Sequence, residues 1–150
     1  ISLLEEAGKD PVMSQAQDEV FDEMYWNPAM DAARKAGVES PLGKALLYDT
    51  AINSGPDNLN KIIASTQEKL AGKDYSEEEF LKAFSEERKD FILDAANRYR
   101  GKGDAGTADM LVHVASDWRM DYWNKWLDAG NLQLTGDLKI YKQTIHGGDA

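Results

Sequence analysis

The segment between Ser40 and Pro56 constrains the fold most, because it carries both a helix start signal and a helix stop signal. Ser40 can accept a hydrogen bond from the first helical turn, and Pro41 suits the first helical position, where no N–H is needed. Gly55 followed by Pro56 is typical of the residues just past a helix end. The sequence therefore predicts a short helix from Pro41 to about Ser54.

The apolar face of this helix contains one carboxylate. Leu42, Ala45, Leu46 and Ile52 recur at helical spacing, and Asp49 occupies the position that completes their stripe. A carboxylate on a buried stripe is costly unless a cation pairs with it. We therefore expect Asp49 to have a cationic partner elsewhere in the chain.

Two arginines stand in equally unusual positions. Arg88 falls inside the apolar stripe of a helix predicted over 76–99, and apolar positions flank Arg119 in a helix predicted over 107–129. Packing of the three apolar faces would place the Asp49 carboxylate between two guanidinium groups, which can satisfy it with bidentate hydrogen bonds. The sequence thus predicts that Asp49, Arg88 and Arg119 form a triad that brings three helices together.

This triad has more than one interpretation. It can be a buried ionic group that only fixes the register of the helices, or it can form the floor of a binding cleft. A long arginine can also extend from an apolar stripe to solvent, which would leave Asp49 without an explanation.

The rest of the chain also shows helix signals. Further helices are predicted over 11–26, 27–37 and 57–72, with a break at Asn27-Pro28, a cap at Asp57 and a cap at Thr107 for the last helix. After Gly130 the chain is predicted to be extended, with one short strand at most, and 142–150 to be a loose tail. The sequence therefore predicts an all-α, mainly helical fold, with 1–150 as one domain.

Charge and composition exclude some classes of partner. The net charge of −10 argues against nucleic acid, because phosphate contacts need a basic patch. It fits a cationic or neutral substrate, or simply a solvated acidic surface. No apolar run approaches the ~20 residues of a membrane span, so we expect no membrane insertion. The chain has no cysteine and therefore no thiol chemistry.

Motifs for metal or cofactor chemistry are absent from the sequence. His113 and His146 are far apart, and no spacing of histidines and carboxylates suggests a metal site. No phosphate-binding loop or nucleophile motif is present, so we expect no cofactor. A group of aromatic residues could stack on sugar rings, although their helical spacing favours a place in the core. The group is Tyr25, Trp26, Trp118, Tyr122, Trp123 and Trp126.

Four segments, in order, resemble glycoside hydrolase family 46, the bacterial chitosanases. They are 11–17 with 27–29, 46–49 with 55–56, 80–89, and 127–134 with 138–141. Leu46-Leu47-Tyr48-Asp49 before Gly55-Pro56 is similar to the family's Ala-Tyr-Tyr-Asp helix that ends in His-Gly-Pro. Phe80-Leu81 through Arg88-Lys89 is similar to its Phe-Leu-Asp-Ala-Arg-Lys helix.

The resemblance implies the C-terminal lobe of a two-lobed, lysozyme-like enzyme with a polysaccharide cleft between the lobes. The family's catalytic Glu and Asp lie on the N-terminal lobe and act by inversion, so no catalytic residue is expected in this chain, which should be inactive alone. The family's buried Asp matches Asp49, and its two paired arginines match Arg88 and Arg119, which implies that these residues organise the cleft. Asn53 and Ser54 are expected to face sugar.

Departures from the family pattern bear on the substrate. Ser54 stands where chitosanases have His, and Ala95 and Tyr99 stand where they carry acids that hold glucosamine ammonium groups. Losing those acids favours N-acetylated peptidoglycan over chitosan. Similar domains are fused to type VI secretion spikes as antibacterial toxins, which implies secretion or delivery to the periplasm and an immunity or inhibitor protein as a partner. The alternative is a non-catalytic module that binds glycan or an inhibitor.

Overall fold

A computed structural model describes residues 11–116, 118–140 and 143–148, and it is mainly helical, as predicted. The helices are α1 (Pro11–Phe21), α2 (Asn27–Ala36), α3 (Pro41–Ser54), α4 (Pro56–Lys69), α5 (Glu77–Gly101), α6 (Ala105–Ala115) and α7 (Trp118–Asp128), and a π-helical turn (Asp22–Trp26) joins α1 to α2. Two short strands, β1 (Asp137–Ile140) and β2 (Gln143–His146), pair antiparallel.

Helix α3 has the bounds and ends that its sequence predicts. The side chain of Ser40 accepts a hydrogen bond from the backbone N–H of Gly43 at 3.0 Å, and Gly55 closes the helix at a φ of 86°. Leu42 and Leu46 are buried. The predicted burial of Ile52 is wrong, because this residue is 39% exposed.

The predicted helix break at Asn27-Pro28 is wrong, because the backbone stays helical from α1 through α2. The N–H of Asn27 donates to the carbonyl of Asp22, five residues earlier. Proline cannot donate a backbone hydrogen bond, and its ring crowds the carbonyl four residues before it. The wider π-helical turn directly before Pro28 accommodates both effects without ending the helix.

Two of the predicted caps belong to other residues. Helix α4 begins with Pro56 directly after Gly55, so Asp57 lies in the first turn and does not cap the helix. Helix α6 is capped by Asp104, whose carboxylate accepts from the N–H of Thr107 at 3.0 Å. Thr107 was predicted to cap this helix, but its N–H is instead the group that the Asp104 side chain caps.

The long helix α5 begins with the predicted capping box. The N–H of Glu79 donates to Ser76 Oγ at 3.2 Å, and the N–H of Ser76 donates to the Glu79 carboxylate at 2.8 Å. The single helix predicted over 107–129 is wrong, since Ser116 closes α6 and α7 begins at Trp118. The hydroxyl of Ser116 donates to the carbonyl of Val112 at 2.9 Å, which completes this end.

The hydrophobic core lies between α2, α3, α4 and α5, and α7 contributes to it. Its fully buried members are mainly aliphatic, with two phenylalanines of α5 at the centre. Core residues include Ala29, Ala33, Val38, Leu42, Leu46, Leu47, Leu59, Ile62, Phe80, Leu81, Phe84 and Leu127. Helix α6 packs along α5 through buried Ala108. No helix among the described residues is long and apolar enough to cross a membrane.

The C-terminal part of the described chain returns to the start of α3. The N–H of Leu42 donates to the carbonyl of Leu132 at 3.0 Å. The Asn131 side chain donates to the carbonyl of Thr135 and accepts from its N–H, both at 3.0 Å, which fixes the following turn. The prediction of a loose tail over 142–150 is wrong for β2, while positions 142, 149 and 150 lie outside the described residues.

Candidate functional site

The predicted cationic partner of Asp49 is Arg88. Helices α3 and α5 cross so that Arg88 Nη2 lies 3.0 Å from Asp49 Oδ2. The Arg88 side chain is 2% exposed and that of Asp49 is 14% exposed. The ion pair is therefore largely shielded from water, and each charge depends on the other for compensation.

Two further side chains donate to the Asp49 carboxylate. The indole N–H of Trp123, on α7, points at Asp49 Oδ2 from 3.4 Å. The amide of Asn53, one turn along α3, donates to Asp49 Oδ1 at 3.2 Å and to the Asp49 carbonyl at 2.9 Å. The carboxylate is thus held by groups from α3, α5 and α7.

The sequence predicted three helices around Asp49, and α7 does reach it, but through Trp123. The side chain of Arg119 lies outside the described residues, so its place in the triad stays a prediction. Trp123 was assigned to the aromatic group and not to the charged site. The signal that could have found it is its indole N–H, which needs an acceptor once the ring is packed inside.

The two residues predicted to contact sugar lie at the C-terminal end of α3. Asn53 is exposed, and its amide is oriented by Asp49. Ser54 is half-buried, and its carbonyl accepts from the Asn58 amide at 2.8 Å. Both residues therefore lie beside the ion pair at the molecular surface, and their contact with sugar stays a prediction.

The described part of the chain has one group of aromatic rings on α7, which reaches the ion pair through Trp123, and another around Tyr48 of α3. On the α7 side, the Trp123 and Trp126 rings meet edge to face at 5.5 Å, and both are half-buried against the core. In the second group, Trp26 meets Tyr48 edge to face at 5.0 Å. Burial, followed by the charge of Asp22, raises the pKa of Tyr48 above its ordinary value.

Exposure differs between these aromatic groups. Trp26 and Phe21 are each 40% exposed, so their faces are accessible to a ligand. The expectation that the aromatic group belongs mainly in the core therefore fits Trp123 and Trp126 better than Trp26. The side chain of Trp118 lies outside the described residues.

A separate cleft of about 420 Å³ lies between α5 and α7. At its floor the Ser85 hydroxyl donates to the Asn124 side-chain oxygen at 2.6 Å. Lys82 and Lys89 line one side, and Asp121 is among the residues that line the other. The mixed charge indicates a polar surface and gives no preference for an anionic or a cationic ligand.

The chemistry available at Asp49 is binding and orientation. Its carboxylate accepts from a guanidinium, an indole and an amide, which makes it a poor candidate for moving a proton. Among the described residues, no group of three histidines, cysteines or acids is placed to hold a metal ion. The Asp49 carboxylate therefore joins α3, α5 and α7 through its hydrogen bonds.

Comparisons with known proteins identify the family to which the chain is similar. The model of "Glycosyl hydrolase family 46" matches residues 2–138. A chitosanase of Bacillus subtilis (strain 168) is 32% identical over 118 residues, which cover 72% of this chain and 43% of the relative. A chitosanase of Streptomyces sp. (strain N174) is 29% identical over 140 residues, which cover 89% of this chain and 44% of the relative.

A solved structure shows a similar fold. The complex of the Gynuella sunshinyii GH46 chitosanase GsCsn46A with chitotetraose aligns with a TM-score of 0.74 and 30% identity. The alignment covers 93% of this chain and 58% of that chain. The chain thus spans less than half the length of the two curated relatives.

Proposed function

Because this chain belongs to glycosyl hydrolase family 46, we propose that it is the C-terminal part of a two-lobed glycoside hydrolase. Its substrate is a polymer of β-1,4-linked amino sugars. The buried Asp49–Arg88 ion pair carries this proposal, because it joins α3 to α5 beside the exposed end of α3. The chitosanase relatives and the chitotetraose complex of the structural neighbour support the substrate class.

In this proposal the chain binds and orients the substrate, and the catalytic residues belong to another part of the protein. Inversion requires an acid and a base, and the motifs of this chain that resemble the family contain no counterpart of the family's catalytic Glu and Asp. The catalytic pair is supplied by an N-terminal lobe, and the segment alone does not hydrolyse glycan. Asp49, Arg88 and Arg119 hold the floor of the cleft in place.

Sugar contacts are proposed at the exposed end of α3 and on the nearby aromatic surface. Asn53 and Ser54 offer hydrogen-bonding groups beside the ion pair. Trp26, 40% exposed, offers a face on which the apolar side of a sugar ring can stack. The net charge of −10 attracts a cationic polymer without fixing where it binds.

Two substrates fit this class. The chitosanase relatives support chitosan. Ala95 and Tyr99 support peptidoglycan, since neither side chain can hold a sugar ammonium group as an acid would. The narrower hypothesis of a type VI secretion toxin, with periplasmic delivery and an immunity protein, rests on the sequence resemblance alone.

Binding measured with this chain tests the proposal. We would record ¹⁵N NMR spectra during titration with chitotetraose, and separately with its N-acetylated counterpart and with soluble peptidoglycan fragments. We expect shifts clustered around Asn53, and about 10-fold weaker binding in Asn53→Ala, from the loss of one hydrogen-bonding side chain. The matched control is Asn97→Ala, an exposed asparagine of α5.

The preferred ligand decides between chitosan and peptidoglycan. Binding without shifts near Asn53 would contradict the proposed site. Binding at Asn53, combined with no hydrolysis by any longer form of the protein that carries both lobes, would favour the non-catalytic binding module.

A further inference from the structure

The two oxygens of the Asp49 carboxylate face different parts of the site. Oδ2 lies 3.0 Å from Nη2 of Arg88 and 3.4 Å from the indole Nε1 of Trp123, whereas Oδ1 accepts from the Asn53 amide at 3.2 Å. The two oxygens are rigidly joined, so a rotation of the carboxylate that changes the contacts of Oδ2 also moves Oδ1. The donors on α5 and α7 therefore help to set the position of the acceptor for Asn53.

The orientation of the Asn53 amide depends on Asp49. The amide nitrogen donates to the Asp49 carbonyl at 2.9 Å and to Oδ1 of the same residue at 3.2 Å. The helix backbone fixes the carbonyl, but Oδ1 moves with the Asp49 side chain. Because Asn53 is exposed and the last torsion of an asparagine has broad minima, its amide takes its direction from this second bond.

A carboxylate that one arginine holds at one oxygen keeps some rotational freedom. The last torsion of an aspartate also has broad minima, and a single hydrogen bond leaves the carboxylate able to rotate about the bonded oxygen. A second donor that approaches the same oxygen from another helix restricts this rotation. Trp123 is such a donor for Asp49, since it lies on α7 and Arg88 lies on α5.

The Trp123 ring is itself held in place. It is half-buried against the core and meets the Trp126 ring edge to face at 5.5 Å. Leu127, on the same helix, is buried in the core and anchors α7. An indole carries a single N–H, which only donates, so a fixed ring directs one donor at one point. The docking of α7 is therefore linked to the exposed end of α3 through Trp123 and Asp49.

We propose that Trp123 is a positioning residue of the sugar site. Its indole N–H restrains the Asp49 carboxylate, and the carboxylate orients the Asn53 amide for a polymer of amino sugars. This inference rests on the proposed function, in which Asn53 contacts sugar. It adds the docking of α7 to the features on which sugar binding depends, and Trp123 acts without touching the sugar.

The first measurement needs no ligand. Trp123→Phe keeps an aromatic ring and removes the N–H. A variant in which benzothienylalanine replaces Trp123 also keeps the shape of the indole, because sulfur stands in place of the N–H group. We would record ¹⁵N NMR spectra of both unligated variants and follow the side-chain amide signals of Asn53, which are identified by their loss in Asn53→Ala. We expect these signals to shift in both variants.

The control for lost ring packing is Trp126→Phe. Trp126 is also half-buried on α7, but of the two α7 tryptophans whose side chains the structure describes, Trp123 is the one that donates to Asp49. The Asn53 signals should therefore stay near their wild-type positions in Trp126→Phe. Circular dichroism checks that all variants keep their helix content.

Sugar binding is the second measurement. The same chains are titrated with chitotetraose, with its N-acetylated counterpart and with soluble peptidoglycan fragments. For the ligand that wild type binds, we expect about 5-fold weaker binding in both Trp123 variants, the effect of one hydrogen bond. Trp126→Phe should stay within about 2-fold of wild type. Adding Trp123→Phe to Asn53→Ala should weaken binding no further, because Trp123 acts through Asn53.

Each other result would overturn the inference. Unmoved Asn53 signals in both Trp123 variants would show that the indole does not orient the amide. A benzothienylalanine variant that matches wild type would show that ring packing, and not the N–H, is responsible. Shifted Asn53 signals with unchanged binding would separate Trp123 from the sugar site, and a further loss in the double variant would show that Trp123 acts by another route.

The wild-type titration separates this inference from the proposed function. If wild type binds at Asn53 and any of those contrary results appears, the role of Trp123 is wrong and the proposed function stands. If the wild-type chain binds none of the ligands, the proposed function is wrong, and the role of Trp123 in sugar binding is overturned with it.

Discussion

Arg88 and Asp49 are 39 positions apart in the chain, yet the arginine Nη2 lies 3.0 Å from the aspartate Oδ2. The arginine is 2% exposed, so removal of Asp49 breaks an ion pair in the protein interior from one side. This relationship links α3 to α5 at the centre of the proposed site.

The Asp49→Ala substitution should lower the free energy of unfolding by about 3–5 kcal/mol, because it breaks a buried ion pair from one side. Urea unfolding followed by circular dichroism measures the change. Asp109→Ala is the control, since Asp109 pairs with Arg100 at the exposed surface and should change stability little. Unfolding of Asp49→Ala at the wild-type urea midpoint would show that the pair contributes nothing to folding.

The Glu77→Ala substitution should lower the free energy of unfolding by about 2 kcal/mol, because the Glu77 carboxylate of α5 accepts several hydrogen bonds at the start of α3. Glu77 accepts from the N–H groups of Ser40 at 3.0 Å and Glu39 at 3.1 Å, and from the Ser40 hydroxyl. Thermal unfolding would be compared with Glu78→Ala, whose carboxylate pairs with Lys82 at the surface. Equal melting temperatures of the two variants would contradict the structural role of Glu77.

The Gly43→Ala substitution should destabilise the protein by about 1–3 kcal/mol, although alanine is the better helix former. A Cβ atom at position 43 would lie 2.4 Å from the Val38 side chain and 2.8 Å from the Glu77 carboxylate. Gly101→Ala is the matched control, because nothing lies within 4 Å of a Cβ there. That variant should be as stable as wild type or more so, and calorimetry of both variants measures the contrast.

The Ser65→Ala substitution should reduce the change in the free energy of unfolding between neutral and acidic pH. The Ser65 hydroxyl donates to the Glu87 carboxylate at 2.6 Å and, with Lys69, holds the pKa of that carboxyl below its ordinary value of 4.5. A lowered pKa stabilises the folded state above pH 4.5, and this contribution is lost as the pH falls through the folded value. Wild type should therefore exceed Ser65→Ala in stability at pH 7 and lose that advantage below pH 4.5.

Urea unfolding at several pH values between 7 and 3 measures this difference. Ser116→Ala is the control, since the Ser116 hydroxyl donates to a neutral carbonyl. Its effect should not change with pH in this range. A Ser65→Ala difference that is equally constant would show that the hydroxyl does not act through the charge of Glu87.

The boundaries of α3 and the start of α5 were predictable from the sequence, whereas the caps predicted at Asp57 and Thr107 were wrong. The ends of α3 and the capping box of α5 depend on side chains that bond within one turn, so residue identity nearly determines them. The pairing of Asp49 was also predictable, because a charge on an apolar stripe requires compensation. These inferences need no knowledge of the neighbouring helices.

Features that depend on the neighbours were missed. Ile52 fits the apolar stripe of α3, but it is 39% exposed, and how far the neighbouring helices cover a stripe cannot be predicted from the stripe itself. Over 107–129 the sequence predicts one helix where the backbone divides into α6 and α7. Before Pro28 the sequence predicts a break where a π-helical turn keeps the helix continuous. Trp123 was missed as a donor to Asp49 because its direction depends on how α7 docks.

The hydrogen bond from the N–H of Leu42 to the carbonyl of Leu132 also bears on biosynthesis. A ribosome releases the start of α3 long before it releases Leu132, so this bond cannot form until most of the chain has been translated. The same delay applies to Trp123, the donor to Asp49 from α7. The proposed cleft floor is therefore completed late. In a nascent chain that stalls before Trp123, the Asp49 carboxylate lacks the hydrogen bond from α7.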